Sequence, residues 1–222
     1  MNIMARREQR LPEGLTSRHR SRGFVAGLLA LGLFLGGCTV STNHPGTETK
    51  TLSPGAFSTL DAAGVEQIRA SKTARLDMSS GTLQKAAVNL EPTKDYGPEI
   101  NTRDSSKINL TIVGPSGEIN GETDRIRFNT FHTRSDFSEV TYFLTTTSRD
   151  EYYGYIRDGV QRYGIDADAA ERWITSNEKE PSSRSDYSLP SGTDTGLSVN
   201  YALRYDGTKE IQVIIVHVRP AA

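Results

Sequence analysis

Residues 197–218 read LSVNYALRYDGTKEIQVIIVHV. Leu197, Val199, Tyr201 and Leu203 alternate with Ser198, Asn200, Ala202 and Arg204, the period-two pattern of a strand with one buried face. After Asp206-Gly207, a hairpin signal, the chain returns with Ile211, Val213 and Ile215 on one side and Ile214, Val216 and Val218 on the other. A two-residue Asp206-Gly207 turn sets Leu203 opposite Glu210 and Tyr201 opposite Gln212. A three-residue loop, Tyr205-Asp206-Gly207 with a left-handed glycine, sets Tyr201 opposite Ile211, Val199 opposite Val213 and Leu197 opposite Ile215. Since one residue of slip moves every side chain to the other face, the apolar matching selects the three-residue loop. The return strand is apolar on both sides, which predicts a central strand with a helix packed over it.

Upstream, three more strands are expected. Ile108, Leu110 and Ile112 alternate with Asn109 and Thr111 and stop at Gly114-Pro115-Ser116-Gly117. Residues 124–131 and 138–147 follow with the same period. Ser148 and Glu151 then form a capping-box pair. Tyr152, Tyr155, Ile156, Val160 and Tyr163 recur at helical spacing until Gly164 closes the helix in a left-handed cap. Asp166 caps a shorter helix carrying Ala170, Trp173 and Ile174. Residues 178–196, with Pro181, Pro190 and many serines, read as a long polar loop, either functional or mobile. A helix is expected over 59–78 and another short one over 83–90, with loop across 91–106. The result is an α+β, two-layer domain with a mainly antiparallel sheet and helices on one face, in the order β-β-β-α-α-β-β over residues 107–222. A helical and loop segment at 59–106 precedes it.

At the other end, GFVAGLLALGLFLGGC spans Gly23 to Cys38. Arg18, Arg20 and Arg22 stand before it, Gly23 to Leu35 carry no polar side chain, and Gly36 and Gly37 precede the single cysteine. A basic flank, a short apolar run and small residues at its end make a secretory signal. The run is shorter than the roughly 20 apolar residues of a membrane span. Leu35-Gly36-Gly37-Cys38 resembles the lipobox of bacterial lipoprotein precursors of actinobacterial type. The resemblance implies that a diacylglycerol is joined to Cys38 by a thioether, the signal 1–37 is cut away, and the new amino terminus is acylated. The protein would then sit on the extracytoplasmic side of the cell membrane. The true start is Met1 or Met4. Thr39 to Ser58, rich in Thr, Ser, Pro and Gly, cannot bury enough apolar surface to offset its ordering entropy, so 38–58 reads as a disordered tether.

Composition narrows the partners. The full chain carries 26 basic and 27 acidic side chains. Six arginines and two glutamates lie in 1–37, which leaves 20 basic against 25 acidic and a net charge of −5. That balance argues against nucleic acid. With Cys38 acylated no thiol remains for a disulfide. His44, His132 and His217 have no ligand at metal spacing, the G-x-S-x-G elbow is absent, and no phosphate loop occurs. Asp166-Ala167-Asp168 fits a helix cap better than a calcium loop. The aromatic group Tyr152, Tyr153, Tyr155, Tyr163 and Trp173 would suit a glycan, lipid or peptide if exposed. The expected arrangement is instead core, with Tyr153 alone outside. Two functional readings remain. One is a non-catalytic binding module of the cell envelope, engaging an envelope protein or small ligand and needing no cofactor or metal. The other is an envelope hydrolase using acids such as Asp136, Glu139, Asp150 or Asp186, for which two carboxylates with raised pKa in one cleft would be the sign.

Overall fold

The computed structural model describes residues 55–130 and 134–222. Cys38, the signal 1–37, the tether up to residue 54 and the histidines at 44 and 132 lie outside the described residues. In chain order the elements are α1 (Ala62–Ser71), β1 (Thr73–Asp77), β2 (Leu83–Gln84), β3 (Ile100–Asn101), β4 (Ile108–Val113), β5 (Glu118–Thr123), β6 (Arg125–Asn129), β7 (Asp136–Phe137), β8 (Glu139–Thr146), α2 (Arg149–Tyr163), α3 (Ala167–Lys179), β9 (Arg184–Ser188), β10 (Leu197–Asp206) and β11 (Gln212–Pro220).

Six strands, β3-β6-β8-β11-β10-β9, form one wholly antiparallel sheet. A smaller sheet, β1-β4-β5, contains the one parallel pair, β1 with β4. A two-residue pairing joins β2 to β7. The protein is thus α+β with mainly antiparallel sheet, as expected. The strands at 108–113, 125–129 and 139–146, both central helices and the closing hairpin are all present, and β11 is central with α2 lying over it.

α2 and α3 lie on one side of the large sheet, and α1 packs by β1 and the edge strand β3. Ile126, Val140, Tyr142, Leu144, Leu203, Ile214, Val216 and Val218 point to that side and are buried. α2 sets Tyr152, Tyr153, Ile156 and Tyr163 against them, and α3 adds Ala170, Trp173 and Ile174. Tyr152, Trp173 and Tyr205 form a three-ring cluster with centroids 5.8–5.9 Å apart. Gly159 lets α2 approach the sheet, since a Cβ there would sit 2.7 Å from the Tyr201 ring. The small sheet occupies the same side: Gly121 abuts the Tyr142 ring, and the Tyr163 hydroxyl accepts from Asn120 N at 3.2 Å and donates to Asn120 O at 3.1 Å.

Several details differ from expectation. The helix foreseen over 59–78 ends at Ser71, because Lys72 takes a left-handed conformation (φ 56°) and the chain turns into β1. Residues 83–90 form a two-residue strand and a single 3-10 turn, not a helix. The polar stretch 178–196 contains β9, an edge strand whose partner is β10. Ser58, at the end of the expected tether, is buried and holds Arg75 through hydrogen bonds at 2.7 and 3.0 Å. Ser148 caps α2 by accepting from Glu151 N, but the Glu151 carboxylate turns to the Thr146 hydroxyl instead of completing the box.

The hairpin register is the largest correction. Tyr201 faces Val216, Val199 faces Val218 and Leu203 faces Ile214. The strands part at Asp206 and Gln212, so five residues lie between them and Ile211 is left 58 % exposed. Gln212 explains the longer loop. Its side-chain oxygen accepts from Asp206 N, and its amide donates to the carbonyls of Asp206 and Lys209, each at 2.8 Å. The loop closes on this side chain rather than on a left-handed glycine.

Candidate functional site

The side of the large sheet away from the helices is open. On it stand Arg125, Arg127 and Asn129 of β6, Glu139, Thr141 and Phe143 of β8, Val213, Ile215, His217 and Arg219 of β11, and Asn200, Ala202 and Arg204 of β10. Strand alternation puts them there: each neighbours a core residue of the other parity.

One end of this face is polar. The Glu139 carboxylate accepts from Asn129 Nδ2 at 2.9 Å and Thr141 Oγ1 at 2.7 Å, and forms an ion pair with Arg219. His217 Nδ1 comes to 3.2 Å from Glu139 Oε1 without the geometry of a directed hydrogen bond. Burial alone would raise the Glu139 pKa, but the contacts from His217, Thr141 and Asn129 outweigh it and bring it down to about 2. Beside this group lies a hollow of about 420 Å³ walled by Asp95, Tyr96, Asn129, Thr130, Ser138, Glu139 and Arg219. Its outer wall is placed by Lys85, a fully buried lysine whose ammonium donates to the carbonyls of Pro92 and Lys94 at 2.9 and 2.6 Å. Tyr96 thereby bridges to Asn129 and stands 72 % exposed.

The apolar middle of the face is Phe143, Ile215, Val213 and Ala202. The Arg125 guanidinium lies 3.7 Å from the centre of the Phe143 ring, and that of Arg127 lies 5.6 Å away. A second hollow of about 390 Å³ opens between α2 and the small sheet, where Tyr155, Asp158 and Arg162 face Asn109, Thr111 and Glu122.

The four acids weighed for catalysis stand on four different elements. Asp136 receives two hydrogen bonds from Arg134 at 2.8 and 3.0 Å, which hold its carboxyl below the usual range. Glu139 belongs to the cluster above. Asp150 is exposed in the first turn of α2. Asp186 sits on β9, 3.9 Å from Arg184 and Arg204. No carboxyl with a raised pKa accompanies them: each resolved carboxylate shift among the described residues, at Asp61, Asp136, Glu139, Glu151 and Asp206, is downward. Asp166 caps α3 by accepting from Ala169 N at 2.6 Å, as its spacing suggested.

The aromatic group is core, as expected, with one exchange of roles. Tyr153 is buried at 3 % exposure, whereas Tyr155 is only partly covered and donates to Glu151. His217 is the functional candidate that sequence reasoning passed over. Its carboxylate partner lies 78 positions away on a neighbouring strand, and only the β8–β11 register brings them together.

Among the described residues no group of three or more His, Cys, Asp or Glu side chains could hold a metal ion. No described helix is long and apolar enough to cross a membrane. Comparison with protein-family models, with curated proteins and with solved structures finds no match to this chain.

Proposed function

We propose that the chain is the precursor of a lipid-anchored extracytoplasmic protein whose folded part is a non-catalytic binding module of the cell envelope. The observation that carries the reading is the run Gly23 to Leu35, with arginines before it and Leu35-Gly36-Gly37-Cys38 at its end. Cys38 is the lipid attachment point, and the membrane is one partner through its acyl chains. The other partner is an envelope protein or a small ligand. The open sheet face supports the binding reading, since it combines half-exposed apolar side chains with charged ones. An envelope hydrolase would need a carboxyl able to give up a proton at working pH. Asp136 and Glu139 are instead held ionised, the first by Arg134 and the second by the side chains that donate to it, which weighs toward binding.

Mass spectrometry of the mature amino-terminal peptide tests the anchor. The expected peptide begins at Cys38 and carries a diacylglyceryl group and an added acyl chain, and Cys38→Ala abolishes the modification. An unmodified terminus at any other residue overturns the proposal.

A further inference from the structure

Among the described residues the open face contains a cation with no carboxylate paired to it. Arg125 precedes Ile126, where the β6–β8 pairing begins, and its guanidinium stacks on the Phe143 ring of β8. Among the described residues its buried Nε makes no hydrogen bond, and none of its guanidinium nitrogens lies within 4.0 Å of a carboxylate oxygen. The nearby arginines are better provided for. Arg127 Nε is 3.2 Å from Glu99, and Arg103 Nε is 3.9 Å from Asp124. Three arginines against these two carboxylates leave one positive charge over. A partly desolvated guanidinium is a strong donor to carboxylate because its fork matches the two oxygens.

Next to the cation lies half-buried apolar surface at Ile215 and Val213, while the Phe143 ring, 5 % exposed, is covered by the guanidinium itself. Phe143 pairs onward with Ile215, and Val213 follows on the same side of β11. Ile215 and Val213 are half-buried with no helix above them. Strands are spaced about 4.8 Å apart, so a ring or short chain attached to an oxyanion at Arg125 would reach across Phe143 to Ile215.

We infer that the open face binds a monoanionic small molecule with an apolar body, its carboxylate on Arg125 and its body along Ile215 and Val213. The inference rests on the binding reading and names a ligand class for it. It does not depend on the anchor, whose test is the mass of the Cys38 peptide.

The experiment uses the full chain in a zwitterionic detergent and follows the Arg125 Nε–H and Ile215 methyl resonances during titration with benzoate, acetate and benzyl alcohol. Benzoate is expected to shift both signals saturably. Acetate, which lacks the body, and benzyl alcohol, which lacks the charge, should each bind at least tenfold more weakly. Arg125→Gln should lower benzoate affinity about tenfold to a hundredfold, the range of a charge-assisted hydrogen bond, while Arg157→Gln, on α2 where it pairs with Glu171, leaves it unchanged. The wild-type titration stands even if the Arg125 variant fails to fold. The inference is overturned if benzoate moves these signals no more than chloride at equal ionic strength, if benzyl alcohol binds as well as benzoate, or if the response survives Arg125→Gln.

Discussion

At Glu139 a single side chain ties three strands together, because its carboxylate meets Asn129 of β6, Thr141 of its own strand, and His217 and Arg219 of β11. Its side chain is 13 % exposed, so the charge is partly desolvated and depends on those neighbours. The folded carboxyl titrates near 2 against an ordinary 4.5. A depressed folded value means stability that is present above pH 4.5 and lost as pH falls toward 2. The shift corresponds to about 3 kcal/mol at neutral pH. Glu139→Gln keeps the shape but leaves Arg219 and His217 facing a neutral amide. Urea unfolding should show the variant less stable by about 2–3 kcal/mol at pH 6, with the gap closing as pH approaches 2.5. A gap that stays constant over that range would assign the loss to packing instead of charge. This hub was not legible in the sequence. Glu139 and His217 sit in strands whose existence was readable, but they meet only through the β8–β11 register, which no local pattern in either strand specifies.

Element boundaries were legible where the chain marks them with chemistry that acts locally. Ser148, Gly164 and Asp166 each do at a helix end what their side chains suggest: two accept from an amide three residues on, and Gly164 takes φ 73°. The end of α1 was hidden because Lys72, with an ordinary side chain, adopts the left-handed conformation that glycine would have signalled. The hairpin was misread for a related reason. Ile211 to Val218 is apolar on both sides, so pattern alone fits either parity, and the deciding residue is polar. Gln212 is 5 % exposed on the core side of β11 and spends all three of its bonds on the loop. Gln212→Ala leaves the Asp206 amide and two carbonyls without that partner and should cost about 1–3 kcal/mol. The register itself should survive, since Ile214, Val216 and Val218 still face Leu203, Tyr201 and Val199. Hydrogen exchange distinguishes the two effects: the Asp206 amide should exchange faster while amides of the Leu203–Ile214 and Tyr201–Val216 pairs stay protected. Loss of protection along the whole hairpin would show that Gln212 sets the register and not merely the loop.

Across the whole molecule, the two sides of the large sheet have opposite chemistry. The helix side is packed with tyrosine, while the open side carries the arginines, His217 and Glu139. Six of the nine tyrosines, at 142, 152, 153, 155, 163 and 201, have pKa values pushed up, with burial the leading cause in each. Tyr142 is the extreme, wholly buried. A raised folded value means stability that is complete below about pH 10 and lost above it, because the unfolded chain ionises first. Acid removes the opposite contribution, from carboxylates held low at Asp61, Asp136, Glu139, Glu151 and Asp206. Stability should therefore form a plateau between about pH 5 and pH 10 and fall on both sides. On the alkaline side the fall should be cooperative, since the layer of rings between α2 and the sheet cannot take on phenolate charge one residue at a time without opening. Phenolate absorbance and near-ultraviolet circular dichroism, followed together during alkaline titration, report on this directly. The larger part of the phenolate signal is expected to rise in step with loss of the dichroism. If all the phenols instead titrate reversibly while the dichroism holds, water reaches the rings in the folded state, and the helix layer cannot be the dry side of the sheet.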